Sequence, residues 1–320
     1  YLSSSRRFDL KRSMFLSYYY NEIRCKVNRT AKNYRNVFCF SPGCAILSGA
    51  IFSGKDLSNL KSIGRVILSA IFLVLTGLMI AFAKAAPAAV FAFYPALSRK
   101  MLAAISSVSG LLPIALWEIL AVLLALWFFY TLICVFTKHH SLLRWLSGVL
   151  LAACAGVFAF VGLWGLNHFA PSVGASLGLD MREYSREELV AATSYYAAQV
   201  RQYAGSVERD ADGLTVYPAF SQLAAQAADG YDALAAQYDT FDAVQGPVKP
   251  LASWRLFSKT GTTGIFVCFT AEACVNPDTY TAWIPYTMCH ELAHKQAVAA
   301  EDEANFCAYL ACMASDSNDF

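Results

Sequence analysis

The stretch Cys289–Asn305 reads CHELAHKQAVAAEDEAN and carries two of the five histidines of this 320-residue chain. His290 and His294 stand four residues apart, so on a helix their imidazoles project from one face and can converge on a metal ion. Glu291 would lie beside them, close enough to take a proton from a water molecule. This spacing is typical of zinc-dependent hydrolysis, in which the metal makes the water acidic and a carboxylate removes its proton.

The alternative is a solvated helix with two unrelated histidines. Histidine is scarce in this chain, and the spacing would arise by chance in roughly one of several hundred chains of this length. The pattern therefore favours a metal site.

A catalytic zinc needs a third protein ligand, for which Glu301, Asp302 and Glu303 are the nearby candidates. On one unbroken helix Glu301 would lie about 10 Å beyond His294 along the axis, too far for one ion. The chain must therefore bend within KQAVAA, residues 295–300, and the third ligand must come from a second helix, EDEANFCAYLACMA. Glu301 and Glu303 cannot both face the metal, because two positions along a helix differ by about 200°.

The whole chain is strongly apolar, with 57% hydrophobic and 15% charged residues, whereas charged residues make up about a quarter of a typical soluble domain. This composition predicts a membrane protein. Three runs approach or exceed the about 20 apolar residues that a spanning helix needs: Arg65–Phe82, Leu111–Phe136 and Leu146–Leu166. The segment AKAAPAAVFAFYPALSRK after the first run contains Pro87 and Pro95 and is interpreted as a connector.

Lysine and arginine are concentrated before the first span and recur between the second and third spans at Lys138 and Arg144. Positively charged flanks remain in the cytoplasm, and an odd number of spans then sends the C-terminal part outside. The basic segment is too long for the n-region of a signal peptide, so the first span is expected to remain as an anchor. With a net charge of only +2 and no basic aromatic patch, nucleic acid is excluded as a partner.

The predicted organisation has three parts in a multi-pass protein of the cell membrane, with the lipid bilayer as a partner. Residues 1–64 form a basic cytoplasmic N-terminal segment, residues 65–170 a three-helix transmembrane region, and residues 171–320 an extracytoplasmic domain. The last part has about 150 residues, a usual domain size.

Local patterns predict the elements of this domain. Ser185 and Glu188 form a capping box before helically spaced apolar residues, which predicts a helix over Arg186–Ala204. A second helix is predicted over Ala219–Tyr238. Between residues 254 and 280, β-branched and aromatic residues flank a Gly-Thr-Thr-Gly turn and predict a β-hairpin or a pair of short strands.

Beyond these patterns, HELAH with EDEANF resembles the glutamate-zincins, in which a later helix with a Glu-x-x-x-Asp or Glu-x-x-x-Asn pattern supplies the third ligand. This resemblance implies that Glu301 is the ligand and that Asn305 orients a ligand histidine. The chain also resembles the family called domain of unknown function 3810, whose members are expected to be membrane-anchored zinc metallopeptidases. The resemblance lies in LPIALWE, WGLNHFAP, YSREEL, FTAEACVN and the run from HELAH through EDEANFCAYLAC. That family usually has glycine where this chain has Ala297, so a positive φ there would cost about 1 kcal/mol.

Together these features predict a mainly α membrane protein, with three transmembrane helices followed by an α+β zincin-like metallopeptidase domain that contains a small β-hairpin or sheet. The expected activity is hydrolysis of peptide bonds in an extracytoplasmic protein or peptide, with Zn²⁺ held by His290, His294 and Glu301 and with Glu291 as general base. The strand GIFVCFT could pair with an extended substrate. The alternative is a non-catalytic zinc-binding membrane sensor or scaffold, which would have no need of Glu291.

Several other residues keep two interpretations. Glu118, inside the second span, is either functional or supports helix pairing, and Glu272 is either structural or lines the cleft. Tyr286 and Tyr309 are candidates to stabilise an oxyanion. Three further histidines are not expected to bind metal: His139, His140 and His168. Most of the ten cysteines are expected to behave as buried small hydrophobic residues.

Overall fold

The computed structural model describes residues 54–244, 246–317 and 320. The described residues divide into two compact units. One comprises those up to Ser69 together with Val135–Leu151, and the other those within Ala70–Cys134 and Ala152–Phe320. Most of the predicted basic segment, residues 1–53, lies outside the described residues. The predicted boundaries of the three-part organisation remain predictions.

Three long apolar helices contain most of the predicted spans: α1 over Gly54–Ala85, α4 over Leu116–Phe136 and α5 over Leu142–Leu163. Their apolar side chains are largely exposed, as expected of helices whose surface faces lipid rather than a protein core. Each is long and apolar enough to cross a membrane.

The segment interpreted as a connector is helical, and this part of the prediction is wrong. It forms α2 over Pro87–Phe91 and α3 over Tyr94–Ser109, and together they are a fourth candidate span among the described residues where the sequence predicted three. Proline does not interrupt these helices, because each proline lies in a first turn, where its missing N–H has no partner to lose. One face of α3 is buried, through Tyr94, Ser98, Leu102, Ser106 and Ser109.

The two predicted helices that follow the spans are confirmed. After the short α6, Val173–Ser176, helix α7 covers Arg186–Ala204 and begins with the predicted capping box between Ser185 and Glu188. Helix α8 covers Phe220–Ala235, slightly shorter than the predicted range.

The sheet has three strands in the order β1-β3-β2, with β1 at Lys249–Pro250, β2 at Gly264–Val267 and β3 at Glu272–Val275. Strands β2 and β3 are antiparallel, which confirms the predicted hairpin. Its turn lies at residues 268–271 instead of Gly-Thr-Thr-Gly, which leads into β2 from a helix that the sequence did not predict, α9 over Trp254–Thr260.

Helix α10, Ile284–Lys295, carries the histidine pair and packs against the sheet, α8 and the last helix, α11, Glu301–Ala314. Helices α8 and α11 approach very closely, since a β-carbon on Gly230 would lie 2.8 Å from the carbonyl carbon of Ala311. Tyr231 of α8 is fully buried and donates its hydroxyl proton to the carbonyl oxygen of Cys289, 2.8 Å away. The histidine helix is therefore held in the core of this region.

Candidate metal centre

The predicted bend between the two site helices is confirmed. Helix α10 ends at Lys295 and α11 begins at Glu301. Ala297 has a φ of +67°, so the position that favours glycine is the one at which the chain turns back. The turn is closed by hydrogen bonds from the Ala297 N–H to the carbonyl oxygen of His294, 3.1 Å, and from the Val298 N–H to that of Ala293, 3.2 Å.

This bend brings the three predicted ligands together. The Nε2 atom of His290 lies 3.1 Å from Oε2 of Glu301, and Nε2 of His294 lies 3.6 Å from Oε1 of the same carboxylate. One donor atom from each residue can be chosen so that all three lie within 4.8 Å of one another. Among the described residues these three form the group that could hold a metal ion.

Hydrogen bonds on the far sides of the imidazoles leave both Nε2 atoms free to bind a cation. Nδ1 of His294 donates to the carbonyl oxygen of Val298, 2.8 Å, and Nδ1 of His290 lies 2.9 Å from Oδ1 of Asn305. Since a carbonyl oxygen only accepts, each Nδ1 carries a proton, and in the neutral imidazole each Nε2 then presents a lone pair. The predicted role of Asn305 as the partner of a ligand histidine agrees with this contact.

The spacing of the donor atoms is compatible with one small metal ion. Nitrogen and oxygen ligands at about 2.0–2.2 Å from a tetrahedral ion lie about 3.3–3.5 Å from one another. The separations of 3.1 and 3.6 Å lie near that range, although they end on different oxygens of Glu301, and one donor atom from each residue lies within 4.8 Å of the others. The Glu301 side chain is 79% exposed, so the side of the site away from the histidines opens to solvent.

Glu291 is buried beside the metal-ligand group and lies against strand β2. A β-carbon on Gly264 would lie 2.8 Å from Cγ and 2.9 Å from Cδ of Glu291, so only glycine lets the strand pass this close. Burial raises the pKa of Glu291 to about 8, and the neighbouring Glu301 carboxylate acts in the same direction. Burial also lowers the pKa of His294, which favours the neutral imidazole.

The site opens into a cleft of about 880 Å³. Strand β2 forms one wall and belongs to the edge of the sheet, because it pairs only with β3. The opposite wall comes from the first turns of α10 and α11, including Tyr286, whose hydroxyl donates to Oδ1 of Asn305 at 3.0 Å. The cleft thus combines an unpaired strand edge with the donor atoms and with Glu291.

Trp164 is a component of the site that the sequence did not single out. Its indole N–H donates to the carbonyl oxygen of His294, 2.8 Å, and its ring centroid lies 6.0 Å from that of His294. Phe266 of β2 also stacks on the histidine, with centroids 6.5 Å apart, and its ring lies 5.8 Å from that of Trp164. The segment WGLNHFAP carried family resemblance, but no local pattern links Trp164 to a histidine 130 residues away.

The remaining candidate residues are not part of the group of possible metal ligands. Glu303 accepts the backbone N–H of Val173 at 2.9 Å. Glu118 accepts the backbone N–H groups of Ala252 and Ser253 at 2.8 and 2.9 Å, which favours its structural interpretation. His168 lines the cleft, although it is not among the grouped donors.

Two further alternatives can be compared with the structure. Tyr309 packs against Tyr196 with ring centroids 5.6 Å apart and does not line the cleft, whereas Tyr286 does. Glu272 is structural, as a buried partner of Lys249. The described cysteines form no disulfide with one another, and most of them are buried.

Replacing the carboxylates of α11 one at a time distinguishes the third ligand. In Glu301→Ala we expect the affinity for zinc to fall by at least about 100-fold, since losing even an outer partner of a ligand costs 10–100-fold. Glu303→Ala should retain the metal, because its carboxylate is bonded to Val173. Zinc content is measured on both purified variants, with circular dichroism as the folding control. Retention of zinc in Glu301→Ala together with its loss in Glu303→Ala would contradict the assignment.

Comparison with known proteins places the chain in a family. No curated protein and no solved structure matches it. A family model described as "Protein of unknown function (DUF3810)" matches residues 92–320, well over half of the chain and the part that holds α3 to α11. The chain therefore belongs to this family, the one that its sequence resembles.

Proposed function

We propose that this protein is an integral membrane zinc metallopeptidase. The observation that carries the proposal is the convergence of His290, His294 and Glu301, with both Nδ1 atoms hydrogen-bonded and with Glu291 buried alongside. Two imidazoles and one carboxylate, with an open side, are the ligand set of a catalytic rather than a structural zinc.

The residues of the cleft have separate roles in the proposed reaction. Zinc, when bound, would acidify a water molecule and polarise the peptide carbonyl. Glu291 takes the proton of the attacking water and returns it to the leaving amine. The free edge of β2 binds the substrate as an added strand, through backbone hydrogen bonds. Tyr286 lines the cleft and is the candidate donor to the developing oxyanion, a role for which its hydroxyl must turn away from Asn305, to which it donates in this structure.

A non-catalytic sensor or scaffold is the second function that the sequence allows. It would need the three metal ligands but neither a buried carboxylate beside them nor an exposed strand edge. Glu291 and β2 both line the cleft, and they favour the enzyme.

Removal of the metal tests the peptidase function. The protein, purified in nanodiscs, should contain about one zinc per chain and hydrolyse members of a fluorogenic peptide library. A chelator should abolish hydrolysis, and added zinc should restore it, while circular dichroism stays unchanged. Full hydrolysis after complete loss of the metal would contradict a zinc mechanism, and zinc binding without hydrolysis of any peptide would favour the sensor or scaffold.

We also propose that three of the four candidate helices cross the membrane and that α3 lies against the region of residues 171–320. Arg99 of α3 forms an ion pair with Asp242 at 2.6 Å, and Ser106 accepts a hydrogen bond from Lys295 at 2.7 Å. Lys249 donates to the carbonyl oxygen of Ser109, 2.7 Å. A helix that holds charged groups of a water-exposed region along its length is poorly suited to hydrocarbon.

With three crossings and a cytoplasmic N-terminus, the region with the metal site faces outward. A reporter enzyme that is active only outside the cytoplasm should be active when fused after Phe320. The same reporter inserted in the loop of residues 137–141, between α4 and α5, should be inactive and serves as the matched control. If only a reporter that works in the cytoplasm is active after Phe320, the proposed orientation is wrong or a fourth helix crosses the membrane.

A further inference from the structure

The ends of two candidate spans lie at one level beside the metal site. Ala83 near the end of α1 packs with Val161 near the end of α5 in one buried cluster. In the last turn of α1, the Lys84 ammonium lies 4.9 Å from the ring centroid of Phe169. Lysine and aromatic residues at the ends of spans are typical of the membrane–water interface. With α1 and α5 crossing the membrane as proposed above, this level would be the membrane surface.

The metal site lies next to this level. Trp164 follows the last residue of α5 directly, and its indole N–H donates to the backbone of the ligand His294 at 2.8 Å. The first turn of α4 is also fixed to the region with the site, since the N–H groups of Leu116 and Trp117 each donate to Glu272 at 2.8 Å. Because contacts at the ends of several helices hold this region, the distance between cleft and membrane is set by the fold.

The strand that lines the cleft also runs toward the membrane. At one end of β2, Gly264 contacts the Glu291 side chain. Beyond its other end, Phe269 in the hairpin turn is 51% exposed and lies 6.5 Å, centroid to centroid, from Phe160 in the last turn of α5. At about 3.3 Å per residue, the five residues from Gly264 to Phe269 span at most about 16 Å. A peptide paired with β2 would thus reach the membrane surface about five residues from the bond that is cut.

We propose that the substrate is a polypeptide anchored in the same membrane by a transmembrane segment, and that it is cut about five residues from the membrane surface. The inference rests on the proposed peptidase function and deepens it by naming the class of substrate. A tethered substrate also reaches the cleft at a high effective concentration, which a free peptide does not.

Single-span reporter substrates in proteoliposomes test the distance. A peptide sequence that the purified protein hydrolyses is placed 2, 5, 10 or 20 residues from the transmembrane segment, on proline-rich spacers stiff enough to hold about 3.1 Å per residue. We expect the fastest cleavage near five residues, at least tenfold slower cleavage at 20, and at least tenfold slower cleavage of the same peptide free in solution. Cleavage that starts only with the 20-residue spacer, or equal rates for tethered and free peptide, would overturn the proposal.

Lipid crosslinking tests the position of the hairpin without any catalysis. The photoreactive residue p-benzoylphenylalanine at position 269 should crosslink to radiolabelled phospholipid. Leu214 is the matched control, because its side chain is also exposed, at 65%. It adjoins Thr215, which lines a cavity together with Ile284. Ile284 is the first residue of α10, at the end of that helix opposite His294. Equal crosslinking at positions 269 and 214 would contradict the placement of the hairpin turn at the membrane surface. If the zinc-loaded protein cuts no substrate at any spacing, both the peptidase function and this class of substrate are contradicted. The crosslinking result would still show whether the hairpin turn lies at the membrane.

Discussion

Glu291→Gln is expected to lower peptide hydrolysis by about 10²–10⁴-fold, the usual contribution of a general base, while the zinc content stays near that of the unchanged protein. Glutamine has the shape of glutamate and still fits against Gly264, but its amide cannot take a proton from water. None of the three grouped donors is altered. The measurement is the rate of hydrolysis of a fluorogenic peptide together with zinc content.

Glu187→Gln, in the exposed first turn of α7, is the matched control and should hydrolyse the peptide at the unchanged rate. A Glu291→Gln protein that keeps its zinc and more than about a tenth of its activity would contradict the assignment of the base. Loss of zinc in this variant would instead indicate that Glu291 supports the metal-ligand group.

The second large effect concerns the buried ion pair between Lys249 and Glu272. The side chains are only 2% and 1% exposed and their charged atoms are 2.5 Å apart. Lys249 also donates to the carbonyl oxygens of Ser109 and Ile114, at 2.7 and 3.1 Å. The pair thus joins β1 and β3 to the chain between α3 and α4.

Glu272→Gln should lower the free energy of unfolding by about 3–5 kcal/mol, because it leaves the Lys249 ammonium buried without a counter-charge. The double variant Lys249→Met/Glu272→Gln should recover part of the loss, since it removes the unpaired ammonium while the glutamine oxygen still accepts a backbone N–H at the start of α4. Thermal unfolding in detergent measures both variants. Asp180→Asn, which breaks an exposed pair with Arg182, is the control and should cost less than about 1 kcal/mol. A loss of that small size in Glu272→Gln would contradict the stabilising role.

The same pair predicts how stability depends on pH. Burial acts to raise the pKa of Glu272, but the hydrogen bonds from Lys249, Leu116 and Trp117 outweigh it and lower the pKa below its usual value. The contribution of this carboxylate is therefore complete above about pH 4.5 and is lost as the pH falls through its folded-state pKa. In Glu272→Gln this part of the acid sensitivity should be absent.

The sequence by itself determined the features that depend on neighbours a few residues apart. Ser185 and Glu188 set the start of α7, because a capping box bonds the ends of one helical turn. The four-residue spacing of His290 and His294 and the length of KQAVAA predicted a helix, a bend and a second helix, since no straight helix brings Glu301 within reach of the histidines. Apolar length alone indicated α1, α4 and α5 as spans.

The tertiary structure decided the features that depend on residues far apart in the chain. The buried residues of α3 are three or four positions apart, as on one helix face, but the sequence does not identify the partners of this helix, Asp242, Lys249 and Lys295, which lie more than 130 residues later. The contact of Trp164 with His294 likewise joins the end of a candidate span to a metal-ligand helix across 130 residues. Hydrophobic periodicity identifies which side of an element is buried but not the element that covers it. Only folding, which packs the ends of α1 and α5 together beside α10, sets how close the ends of these candidate spans lie to the candidate metal site.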